Sequence, residues 1–80
     1  MQFTTFISAD RAGALLMSLA KNVTTLGSKR ERLREGRTLV RALSATGALS
    51  SGAVIAIGLG TNEAGDLGII VSQEITNAGN

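Results

Sequence analysis

Four arginines, Arg30, Arg34, Arg37 and Arg41, are spaced four, three and four residues apart. On an α-helix each residue advances 100°, so they fall within about 60° of arc and form one ridge roughly 16 Å long. A guanidinium stays charged and can bind two oxygens of a carboxylate or phosphate at once. The ridge therefore suits the acidic surface of a protein partner. It equally suits a nucleic-acid backbone, bound through counterion release with little regard to sequence. Leu33 and Val40 lie beside the ridge, Leu39 and Leu43 lie further round, and Glu31 and Glu35 face away. A solvated helix face with internal pairs such as Glu31–Arg34 is the plainer alternative. Five of the six basic residues between positions 29 and 41 are Arg rather than Lys. That choice favours contact with a partner, because Arg is the residue suited to interfaces. No aromatic residue interleaves with the ridge, so bases have nothing to stack on and any nucleic-acid contact is to the backbone.

The remaining chemistry is sparse. The chain has no Cys and no His, which removes Cys–His and Ser–His–Asp catalysis and the usual structural zinc sites. Glu63, Asp66 and Glu74 offer oxygens to a hard cation, but no calcium-loop spacing is present, and a solvated hairpin tip accounts for them. Gly58 and Gly60 open a stretch that superficially resembles a phosphate loop. A dinucleotide fingerprint needs a third glycine where Glu63 stands and a helix afterwards. No catalytic residue, cofactor site or metal site is assigned, and a non-enzymatic role is expected.

The elements that must hold the ridge follow from local pattern. Residues 2–7 are rich in Thr and Phe and read as a short strand or extended arm. Ser8 suits a helix N-cap, with Asp10 in the first turn, where the helix dipole favours a carboxylate. Ala12, Leu16, Leu19, Val23 and Leu26 then recur at four- and three-residue spacing, the seam of an amphipathic helix, widened by Leu15 and Ala20. Leu16, Leu19, Val23 and Leu26 are the candidate subunit-packing residues. Gly27-Ser28 interrupts this pattern, so two helices are expected, over about 9–26 and 29–46, although one longer helix weakened at Gly27 fits too. Gly47 is the expected second C-cap. Gly36 is a weak point inside the second helix or a place of close helix approach. Residues 53–60 and 67–76 are β-branched and flank a run of turn chemistry, which predicts a β-hairpin, and 77–80 form a polar tail.

Eighty residues make one small α+β domain: an N-terminal extended segment over 1–7, a helical hairpin or long helix over 8–47, and a C-terminal β-hairpin over 53–76. Hydrophobic residues are 44% of the chain but aromatics only 2%, so a free-standing core is thin. No disulfide or zinc staple is available, which leaves association with other chains. The expectation is a non-enzymatic structural or assembly protein acting as a repeated subunit, its expected partners being other protein subunits in a homo-oligomer or larger assembly, and by analogy of composition a small virion (phage) component. The net charge of +2 hides a basic middle and a mildly acidic second half. A small dimeric protein that binds the nucleic-acid backbone is the alternative. The uncharged run over 42–62 also permits a single membrane span, disfavoured because it is broken by Gly, Ser and Thr and lacks interfacial Trp or Tyr. No secretory signal peptide is apparent, so a virion or cytoplasmic location is expected.

Overall fold

The computed structural model describes residues 1–25 and 28–75. The chain is α+β, with strand β1 (Gln2–Ser8), helices α1 (Ala9–Thr25) and α2 (Lys29–Ala45), and strands β2 (Ala53–Thr61) and β3 (Leu67–Glu74). The expectations for Leu26, Gly27 and residues 76–80 lie outside the described residues.

The three strands form one antiparallel sheet in the order β1-β3-β2. The first segment is thus a paired strand and not a free arm. Its Thr, Phe and Ile residues favour extended backbone, and it lies along β3 with Ile7 opposite Ile69 and Phe3 opposite Gln73. Pairing extends one step further, where the Met1 and Ile75 backbones exchange hydrogen bonds of 3.1 and 2.9 Å. β3 is consequently the central strand, and its alternate residues Ile69, Val71 and Gln73 are buried beneath the helices. Away from the helices, Phe6 lies over Gly68. A Cβ added at Gly68 would collide with the Ile7 carbonyl oxygen and stand 2.6 Å from Phe6 Cζ, so only glycine fits there.

The β2–β3 hairpin turns through residues 62–66. Asn62 Oδ1 accepts from the backbone N–H groups of Ala64 and Asp66, both at 3.0 Å, and the Asn62 amide donates to Asp66 O at 3.0 Å. An Asn side chain closing its own turn is what this run of turn residues supplies.

α1 begins at Ser8, whose Oγ accepts from the Arg11 amide at 3.3 Å. The helix is broken at Gly13 (φ 85°, ψ 162°), a conformation that only glycine adopts readily. The described part of the seam nevertheless holds on both sides of the break, Ala12 packing against the core together with the residues that follow it. Leu16, Leu19 and Val23 pack half-buried against the core, Ala20 between them is fully buried, and Leu15 is 75% exposed. α1 lies against the sheet, and α2 packs on α1.

α2 is capped at both ends. Ser28 Oγ accepts from the Glu31 amide at 3.4 Å. At the other end Thr46 is the C-cap and Gly47 (φ 78°) follows it, with Gly47 N–H donating to Ser44 O and Ala48 N–H to Leu43 O, both at 3.1 Å. This is the Schellman arrangement. Leu39 and Leu43, on one face of α2, are fully buried and join Ile7, Ala20, Ile69 and Val71 in the core.

Residues 42–62 do not form a single helical span. Gly47 terminates α2, and residues 53–61 pair with β3 instead. Among the described residues no helix is long and apolar enough to cross a membrane.

Candidate functional site

The capped start at Ser28 fixes the phase of α2, and burial of Leu39 and Leu43 fixes its rotation. The ridge then points outward. Arg30, Arg34, Arg37 and Arg41 are all exposed. None of the side-chain hydrogen bonds among the described residues is donated by a guanidinium. The internal Glu31–Arg34 pair that would make the ridge a self-satisfied surface is not formed. Each guanidinium keeps its full set of donors for a partner.

One flank of the ridge opens into a groove of about 660 Å³ between α2 and β2. Val23, Leu33, Val40, Val54 and Ile57 make its walls apolar, and Lys29, Arg32, Arg37 and Arg41 line it with cations. Leu33 is 53% exposed and Ile55 49% exposed, both apolar side chains left without cover. Gly36 also faces the groove, and a Cβ built there would meet nothing within 4 Å. Gly36 therefore does not serve a close approach between helices; it widens the groove.

The groove continues onto a strand edge. β2 is bonded on one side only, to β3, and has a register irregularity between Val54 and Ala56. It carries no charged residue and no Pro, the usual devices that keep an edge strand from pairing. The other flank of the ridge is polar, lined by Arg30, Glu31, Arg34 and Thr38.

The candidate packing residues Leu16, Leu19 and Val23 contact the chain's own buried cluster, so at least part of that stripe is used internally. Val23 also reaches the groove. Sequence reasoning named the arginines but not the groove. Leu33 and Ile55 are its exposed apolar members and Val40 is half-buried, and only the spacing of Leu33 and Val40 beside the ridge foreshadowed it. Among the described residues no group of His, Cys, Asp or Glu is placed to hold a metal ion. Glu63 and Asp66 lie at the hairpin tip and Glu74 at the other end of β3. Comparison with protein-family models, curated proteins and solved structures gave no match.

Proposed function

We propose that this protein is a non-enzymatic structural subunit, and that the cationic face of α2 docks it onto an acidic surface of a neighbouring protein. The observation that carries this reading is the row of four exposed guanidiniums, free of internal hydrogen bonds, beside an uncovered apolar groove. A bland surface helix has its charges solvated or paired and its apolar residues buried. Here Arg37 and Arg41 line the same groove as Leu33 and Val40. Mixed apolar and Arg surface of this kind is characteristic of protein interfaces. The thin core supports the same class of role, because only six apolar side chains are fully buried among the described residues. A virion component, built from many copies of such a chain, is the setting its composition fits.

The polar flank favours a second reading, in which the ridge follows a phosphate backbone. Fluorescence anisotropy with a labelled Asp/Glu-rich peptide and a labelled DNA duplex separates the two. We expect the peptide to bind the unaltered chain and to lose at least tenfold in affinity when Arg34→Ala and Arg37→Ala are combined. Tighter binding of the duplex, with a steep salt dependence lost in the same variant, would install the second reading. Equal binding by the double variant would remove the ridge from both.

A further inference from the structure

The acidic surface that fits the groove best is carried by the chain itself. We infer that copies dock head to tail, the β2–β3 hairpin tip of one copy seating in the α2–β2 groove of the next. This inference rests on the proposed role of the α2 face and names its partner.

The two surfaces are complementary in charge, and each carries exposed apolar surface. The tip presents Glu63 and Asp66, both exposed, and Leu67 beside them is 51% exposed. The groove presents Arg37 and Arg41 above exposed Leu33 and Ile55. Acid meets base at the rim while Leu67 finds apolar surface. The tip is also preorganised. Asn62 Oδ1 already holds the Ala64 and Asp66 amides, so little chain entropy is lost when the turn is seated.

The alternative contact between copies is disfavoured by the same charges. Two β2 edges pairing across a two-fold axis would bring two α2 helices together, each lined by Lys29, Arg32, Arg37 and Arg41 on its groove side. Like charges facing one another across an interface are repulsive. A groove and a tip lie on different parts of one chain, since the groove uses residues 54–57 of β2 and the tip follows Thr61 at its far end. Contacts of this heterologous kind do not satisfy both partners at once. They propagate into rings or filaments, which is how a repeated subunit is built.

The test is complementation, read as mass by light scattering at low and high salt. The unaltered chain should exceed its monomer mass of 8.2 kDa in a concentration-dependent way at low salt and fall back towards it at high salt. A tip variant, Glu63→Lys with Asp66→Lys, keeps its groove. A groove variant, Arg37→Glu with Arg41→Glu, keeps its tip. Each alone should be monomeric, because each now carries like charge on both surfaces. On mixing, the intact groove of one meets the intact tip of the other, and the lysine tip meets the glutamate groove with the charges exchanged, so the mixture should regain the concentration-dependent, salt-sensitive assembly of the unaltered chain. Far-ultraviolet circular dichroism establishes that both variants keep their fold; for one that does not, single changes Asp66→Asn and Arg41→Gln replace the pair, with a several-fold loss of association expected. Three results would overturn the inference: a monomeric unaltered chain, a tip variant that still assembles, or a mixture that stays monomeric. If the tip variant assembles while the groove variant does not, α2 docks another acidic surface, and the proposed function stands without this partner.

Discussion

Gly13 and Gly36 both fall within helical segments, yet alanine at the two positions has opposite consequences. Gly13 holds φ 85° and ψ 162°, a region where a Cβ is strained, so Gly13→Ala should destabilise by about 1–3 kcal/mol. Gly36 sits in regular helix with open space around its missing side chain. Gly36→Ala should stabilise by about 1 kcal/mol and raise the melting temperature by roughly 4–8 °C. Thermal melts of the two variants check both signs. Gln73 provides a second residue-level test. Its buried Nε2 donates to Ser50 O at 2.8 Å and to Gly52 O at 3.1 Å, tying the connector between α2 and β2 to the central strand. Its Oε1 has no hydrogen-bond partner among the described residues. Gln73→Ala removes both bonds and leaves a void, and urea denaturation should show a loss of about 2 kcal/mol.

At the level of elements, the local signals in the sequence were strong where they were chemical. Ser8 and Ser28 cap the two helices through their hydroxyls, Gly47 closes α2, and the turn residues at 62–66 make the hairpin. The arginines share one face of α2 because nothing in residues 29–45 disturbs helical period. Three features were not legible. Strand pairing is non-local, so residues 2–8 carried a strand pattern without naming β3 as their neighbour. The break at Gly13 was equally hidden, because a single Gly inside an apolar period reads as a tolerated weakness. Beyond the break, regular helical period places Ala20 on the buried stripe with Leu16, Leu19 and Val23 and leaves Leu15 off it. The groove was out of reach for the first reason: it exists only where α2 and the edge strand β2 come together. Since the ridge lies outside the core, combining Arg34→Ala with Arg37→Ala should change unfolding free energy by less than about 0.5 kcal/mol per site while removing binding. Denaturation and binding measured on one preparation check that separation.

For the whole molecule, the core is small enough that single positions matter to everything. Leu39 is fully buried where α2 meets the rest of the cluster. Leu39→Ala should cost about 2–5 kcal/mol. The total stability expected for a chain of this length is only about 4–12 kcal/mol at 0.05–0.15 kcal/mol per residue. The variant should therefore be partly unfolded near physiological temperature, visible as lost dispersion in its NMR spectrum. A fold with so narrow a margin gains from any neighbour that binds only the native state. Under the proposed docking, that coupling would join the thin core to the cationic face, the contact that places the subunit also adding to its stability.

Which residues an acidic polypeptide touches decides between a docking face and a solvated helix. A nitrogen-15 NMR titration of the unaltered chain with an Asp/Glu-rich peptide reads this residue by residue. Saturable shifts concentrated in residues 29–41 and 54–57, fading as salt is raised, are the expected result. Shifts that leave α2 untouched, or no shifts at low salt, would contradict the assignment of this helix as the surface through which the protein works.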